Sequence, residues 1–459
     1  MIGRCGHLNS DVTLPVRESF VSTYGVIGGS IWGNRGAEAM IVTTIGRVRE
    51  RDPDATFVLL TYFPERDRAL VRDPGVTVVD ARPKATVVAW FGAFVARIAG
   101  LVGLRLPDAA LPSLARHLRR CRALFDVTGI SFHDGRLTVV AYNLMCLWPA
   151  LLLRVPVIRL SQAMGPFRRR LNRLPARFVT RRSLHTFARG RLTARYMRDL
   201  VVPAGSWSVA PDVAFAYRPE YSLTAENDHL VADLLEHLAR VRASGTDVVA
   251  LVPSSVVHQK MTGQGRDYVA LLRTIVGGLH ARGLYVLVMP NATRAGLDVP
   301  RNNDITVIRR LRDRIAAEPD GIDASALSYV DFDLNTASIR SLAQRCRLVI
   351  TSRFHAMVAA LAVGVPPLVV GWSHKYEEVL EIFGCGGDAV DFSEAEQKIP
   401  VLVERMLAEY ETTRERILKT LPEVTTSAVS QFDQMDRLAP AAASSRSDVG
   451  AGPPAPPRD

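Results

Sequence analysis

Short apolar runs recur along the chain, each followed by a polar or glycine-rich turn and then by a longer stretch with helical spacing. The first, around Tyr24, Val26 and Ile27, leads into Gly28-Gly29-Ser30-Ile31-Trp32-Gly33-Asn34-Arg35-Gly36. Behind that turn, Ala39, Met40, Val42, Thr43 and Ile45 precede the charged segment 47–51. Strand-like runs follow at 56–60, 76–79, 123–127, 155–160 and 185–188. A second series begins after Pro211, with runs at 247–252, 284–289, 327–330, 348–351 and 367–370 between helical segments such as 268–281 and 339–345. Strand, turn and helix in repetition predict an α/β fold of parallel sheets covered by helices. Val202-Pro203-Ala204-Gly205-Ser206 interrupts the pattern, so two domains of similar size are expected to join near 201–212. The expected boundaries are 20–205 and 206–395, then closing helices over 396–438 and a disordered Pro/Ala/Gly/Ser-rich tail over 439–459.

One run does not fit a strand. Residues 86–104 are apolar apart from Arg97 and are flanked by Lys84 and Arg105. A spanning helix needs about 20 apolar residues, and a central arginine costs roughly 2.5 kcal/mol or more. A helix against the protein's own core is the expectation, with a helix lying on a membrane surface as the alternative.

Charge is unevenly placed. The chain holds 57 Lys and Arg against 46 Asp and Glu, a net charge of +11. No acid occurs between Gly135 and Arg198, and the 14 arginines there exceed the whole chain's net charge. Arg168 to Arg182 is the densest part, with seven arginines in 15 residues. A solvated helix face and a contact with anionic lipid headgroups both suit it. Nucleic-acid binding is not expected, since no recognisable binding module accompanies the charge. Five scattered cysteines without a CxxC pair argue against a disulfide framework or structural zinc. The ten histidines show no metal-binding spacing, so no metal or cofactor is expected. The N-terminal segment lacks the apolar core of a signal peptide, and a cytoplasmic location is expected.

The most informative stretch for chemistry is 347–371. A buried strand over 348–351 runs into a helix, with Ser352 as the expected cap and Gly364 beyond its end. Arg353 and His355 therefore fall at the carboxyl end of a parallel strand, the edge where open α/β sheets bind ligands. The helix N-terminus favours an anion. Arg353 offers a two-pronged fork for phosphate or carboxylate, and His355 exchanges a proton near neutral pH. Lys375, the only lysine between 261 and 397, follows the next strand and is a candidate for anion neutralisation or a plain loop lysine.

Several of these segments together resemble the polysaccharide pyruvyl transferase family. Ser352-Arg353-Phe354-His355-Ala356, then Gly364-Val365-Pro366 and Lys375, is similar to its C-terminal signature. Gly33-Asn34-Arg35-Gly36-Ala37-Glu38 resembles its N-terminal glycine turn, 126–134 its glycine strand-turn, and Ser161–Phe167 its "GQ-x-x-GP" segment. Phe187-Ala188-Arg189 and Pro211-Asp212-Val213-Ala214-Phe215 complete the ordered set, which departs from the family at Ala37, Thr128 and Gly190. The resemblance implies two Rossmann-like domains facing a cleft, similar to B-type glycosyltransferases. It implies transfer of pyruvate from phosphoenolpyruvate to a sugar of a cell-envelope polysaccharide or glycolipid, as a ketal, with phosphate released. On that basis Arg353, Arg189 and Lys375 are the candidates to hold the donor, and His355 is the general acid. Asn34, Glu38, His133 and Asp134 are the candidates on the acceptor side. A nucleotide-sugar glycosyltransferase of the same architecture and a non-catalytic membrane-associated relative remain as alternatives. The expected partners are phosphoenolpyruvate, a glycan or glycolipid, and the inner face of the plasma membrane through 168–182.

Overall fold

Seven strands form the first sheet: β1 (Thr23–Ile27), β2 (Thr56–Thr61), β3 (Val76–Asp80), β4 (Ala123–Asp126), β5 (Val157–Gln162), β6 (His185–Arg189) and β7 (Trp207–Ala210). Their spatial order is β3-β2-β1-β4-β5-β6-β7, and every neighbouring pair is parallel. The second sheet holds β8 (Val248–Val252), β9 (Tyr285–Val288), β10 (Leu327–Tyr329), β11 (Leu348–Thr351), β12 (Pro367–Val370) and β13 (Ala389–Val390), ordered β10-β9-β8-β11-β12-β13 and again parallel. The computed structural model describes residues 21–224, 227–294, 302–371 and 374–438, without the side chains of residues 136, 138, 374 and 375. The expected tail over 439–459 lies outside the described residues.

Both sheets are Rossmann-like. Their inner strands are buried throughout because helices cover both faces, which is why they read as continuous apolar runs. The strand order reverses between β1 and β4 and again between β8 and β11. In register, Ile27 lies beside Asp126, and Val252 beside Thr351. The loops at those two carboxyl edges form the crevices where such folds bind ligands.

Two expectations are corrected, and the closing helices gain a path. β7 occupies part of the predicted joint at 201–212. It is a four-residue edge strand with one buried residue, too short and too exposed to carry an apolar signal. The expected closing helices are present and serve both sheets. Helix Ala395–Ala408 buries Ile399, Val403 and Met406 against the second sheet, whereas helix Tyr410–Val429 crosses back to the first. There Phe432 meets the Phe125 ring at 6.1 Å, and Gln431 Oε1 accepts from Ser161 N at 3.1 Å. Finally, helix Pro83–Leu101 is not a core helix, since its only buried residues are Thr86, Ala89 and Ala93.

Candidate functional site

The site is built where the first turn of helix Arg35–Arg51 meets the second sheet. Asn34 caps that helix, its Oδ1 accepting from Gly36 N at 3.1 Å and Ala37 N at 3.4 Å. Arg35 N donates to the Asn291 carbonyl (3.3 Å), and Thr336 Oγ1 donates to the Arg35 carbonyl (3.1 Å). The Arg35 guanidinium ion-pairs Glu38 at 2.9 Å and, on its other arm, Asp333 of the second domain. Glu38 is 1% exposed, and burial pushes its carboxyl up against the pull of Arg35. Its position is thus a brace between domains, not a reach towards a substrate hydroxyl. His355 packs directly on this turn. A Cβ built on Gly36 would fall 2.0 Å from His355 Nδ1, so only glycine fits there without displacing the imidazole.

At Arg353 the expected helix cap is corrected. Helix Phe354–Ala362 begins after Arg353, not Ser352, and no side chain caps it. Ser352 Oγ instead accepts from Tyr268 Oη at 3.0 Å, while Arg353 N donates to Thr351 Oγ1 at 2.9 Å. The fork of Arg353 is closed on Asp304, with Nε 3.0 Å from Oδ2 and Nη2 on Oδ1. Asp304 is wholly buried and also accepts from Ser255 N (2.9 Å) and Ala292 N (2.9 Å). Arg353 therefore ties together the loops after β8 and β9, and its charge is already matched.

Arg189, at the end of β6, sets its Cζ 4.6 Å from the centre of the Phe354 ring and donates to the Gly129 carbonyl at 3.0 Å. It ion-pairs Asp212, and the same Asp212 Oδ2 stands 3.7 Å from His355 Nε2. Burial alone would raise the Asp212 pKa, but Arg189 and His355 hold it below the ordinary value. The carboxylate is thus a buried anion set between the Arg189 guanidinium and the His355 imidazole. Arg340 adds a further cation behind His355, donating to the Ala214 carbonyl at 2.6 Å over the Tyr217 ring, with burial drawing its pKa down to about 10.

On the other side of Arg189 and Asp212 a cleft of about 800 Å³ opens between the domains. Ile130, His133, Tyr196, Phe215 and Phe354 line it. His133 Nδ1 accepts from Gly135 N at 3.0 Å. Asp134 is engaged on both oxygens, accepting from Arg168 N (2.8 Å) and Asn172 Nδ2 (2.9 Å), so it fixes the chain. Gly190 holds φ at +78°, and a Cβ there would meet Glu378 Oε2 at 2.4 Å. Glu378 reaches across from the second domain to accept from Leu192 N. The Lys375 side chain lies outside the described residues; its backbone is in helix His374–Ile382.

The structure thus brings Arg189 and His355 together through Asp212, sets Arg353 aside on Asp304, and places Glu38 and Asp134 in structural roles. Asp212 and Arg340 were missed as site residues. Asp212 had a signal, as the one acid of a short motif after the β7 edge strand, but Arg340 sits in an ordinary amphipathic helix and had none.

Solved structures of other proteins share the two-domain fold. UDP-GlcNAc 2-epimerase from Methanocaldococcus jannaschii superposes with a TM-score of 0.52 at 11% identity, covering 87% of this chain and 99% of that one. Anabaena HepE, solved in complex with UDP and glucose, gives 0.50 at 12%, covering 91% and 99%. UDP-GlcNAc 2-epimerase from Neisseria meningitidis, bound to UDP-GlcNAc, gives 0.50 at 9%, covering 91% and 100%. At these identities the likeness is one of fold, the two-domain architecture of B-type glycosyltransferases. No curated protein matches the sequence significantly. The profile of the polysaccharide pyruvyl transferases matches residues 34–374, from the helix cap at Asn34 to the start of the helix after β12. The chain belongs to the polysaccharide pyruvyl transferase family.

Proposed function

We propose that the chain transfers pyruvate from phosphoenolpyruvate to a sugar carrying two neighbouring hydroxyls, forming a cyclic ketal and releasing phosphate. The observation that supports it most is the Arg189–Asp212–His355 arrangement, in which one buried carboxylate stands between a guanidinium and an imidazole.

In this reading His355 protonates the enol methylene of the donor, and the electron deficiency appears at the carbon bearing the phosphate. A first sugar hydroxyl attacks that carbon and loses its proton. Phosphate then departs, and the second hydroxyl takes its place with loss of another proton. The donor's carboxylate and phosphate need cations. Arg189, on the cleft wall and paired with Asp212, is the candidate for one, with the N-terminus of helix Phe354–Ala362 and Lys375 as further candidates. Asp212 stabilises the charged imidazole before transfer. The sugar occupies the cleft, with His133 on its rim as the acceptor-side base. The donor is a cytoplasmic metabolite, which puts the reaction on that side of the envelope.

Phosphate release from phosphoenolpyruvate, screened across a panel of glycosides, tests the reading. Thermal stabilisation by UDP- or GDP-sugars but not by phosphoenolpyruvate would overturn it in favour of a nucleotide-sugar glycosyltransferase.

A further inference from the structure

Helix Pro83–Leu101 inverts the usual order of a surface helix. Small residues, Thr86, Ala89 and Ala93, face the protein, and Val88, Phe91, Phe94, Val95, Ile98 and Leu101 face out. Contiguous exposed apolar surface of this kind marks an interaction site. Among the described residues this is the one helix long and apolar enough to cross a membrane by length and composition. It is nevertheless fastened along its length. Gly92 packs so tightly that a Cβ would meet Pro112 Cδ at 2.4 Å, and the Trp90 ring contacts Trp148 at 5.4 Å. The helix lies along the body as an apolar rod roughly 28 Å long.

Its surroundings are cationic. Trp148 contacts Phe178 at 5.7 Å, which connects the apolar helix through helix Leu137–Leu152 to the arginine-rich helix Arg170–Arg182. There Leu171 is 76% exposed, and Leu174 59%, among Arg168, Arg169, Arg170 and Arg173. Those four arginines have no ion-pair partner among the described residues. At the far end of the apolar helix, Arg97, Arg105, Arg119 and Arg154 ring a hollow of about 350 Å³ with Leu101 and Leu104. Asp108 offsets Arg119 there. Exposed leucine and phenylalanine set among unpaired arginines match the boundary between acyl chains and anionic headgroups.

We propose that this face docks on an anionic bilayer, with the Pro83–Leu101 helix in the membrane plane and the arginines on lipid phosphates. Asp134 joins this face to the cleft, since it holds the Arg168 and Arg169 backbones and follows His133 on the cleft rim. The inference does not depend on the donor being phosphoenolpyruvate.

Co-sedimentation of the full chain with vesicles tests it, using phosphatidylcholine alone or with phosphatidylglycerol. The wild type pellets with the phosphatidylglycerol vesicles, and part of that binding persists in high salt. Phe91→Asp/Phe94→Asp lowers the bound-to-free ratio at least about tenfold and removes the salt-resistant part. Val88→Ser/Val95→Ser, a milder change on the same stripe, weakens binding in the same direction. Arg169→Gln/Arg170→Gln/Arg173→Gln removes the preference for phosphatidylglycerol. A wild type that stays in the supernatant with both vesicles overturns the proposal. So does a vesicle-free dimer in sedimentation velocity that the Phe91 and Phe94 changes dissolve, because a second copy then covers the face.

Discussion

Asp212 Oδ2 lies 3.7 Å from His355 Nε2 and ion-pairs Arg189 Nη1 through the same oxygen. The Arg189 and His355 side chains come from opposite domains, so the carboxylate joins the cleft wall to the helix after β11. Replacing either partner has a different consequence. In the proposed reaction His355→Ala removes the proton donor and leaves the buried Arg189–Asp212 pair intact. Phosphate release from phosphoenolpyruvate falls roughly 10²- to 10⁴-fold, with donor affinity nearly unchanged. Asp212→Asn leaves Arg189 buried without its counter-charge, a loss of about 3–5 kcal/mol that lowers both the melting temperature and turnover. Equal melting temperatures for Asp212→Asn and the wild type would sink the assignment.

Arg353 makes the opposite prediction from the one its sequence position suggests. Its fork is closed on Asp304, which also organises the loops after β8 and β9. Arg353→Ala strands a wholly buried carboxylate and destabilises the protein by about 3–5 kcal/mol. Arg353→Lys restores the charge but not the two-pronged geometry, so it recovers only part of the loss. Chemical denaturation reads this directly. A variant of wild-type stability that has lost only donor affinity would show that Arg353 faces the ligand instead.

Gly36 offers a test that touches no charged group. The Cβ of Gly36→Ala would lie 2.0 Å from His355 Nδ1, against an imidazole held on its other edge near Asp212. Overpacking of this kind costs about 1–3 kcal/mol, but the larger effect is on His355, which must swing out of register with Asp212. Turnover in Gly36→Ala therefore approaches that of His355→Ala while most of the stability survives. Wild-type turnover in this variant would remove His355 from the chemistry.

The sheets were legible because strands covered on both faces must be apolar throughout, as 348–351 and 367–370 are. The edge strand β7 was not, since one buried residue in four leaves no pattern. Helix Pro83–Leu101 misled for a related reason. An apolar helix bound for a core and one bound for a surface have the same composition, and only the tertiary fold says which faces are covered. At the site, the β11–helix junction announced Arg353 and His355, but their partners Asp304 and Asp212 come from distant loops. A local motif reports where a side chain stands in its own strand and helix, and not which carboxylate the fold brings to it. The charge excess divides likewise. Arg159 is wholly buried on Asp126 and Arg189 mostly so on Asp212, whereas Arg168, Arg169, Arg170 and Arg173 are exposed.

The same carboxylate sets an expected pH dependence. Burial raises the Asp212 pKa, Arg189 and His355 lower it further than burial raises it, and the folded value lies below the ordinary one. An unfolded aspartate titrates near about 3.9. The folded state therefore binds fewer protons than the unfolded state in the window just below that value. The stability Asp212 contributes is fully present above about pH 4 and is lost as the pH falls through the folded pKa. Glu38 runs the other way. Burial raises its folded pKa, so its contribution declines as the pH climbs past about 4.3. Melting temperatures measured from neutral pH down to about pH 3 separate the two. The wild type loses stability more steeply at the acid end than Asp212→Asn, which has no carboxylate to protonate at that position. Glu38→Gln keeps the acid-side fall and flattens the decline above it. Parallel profiles for the wild type and Asp212→Asn would mean that Asp212 is not held as an anion, and the coupling of His355 to Arg189 through it would fall with that result.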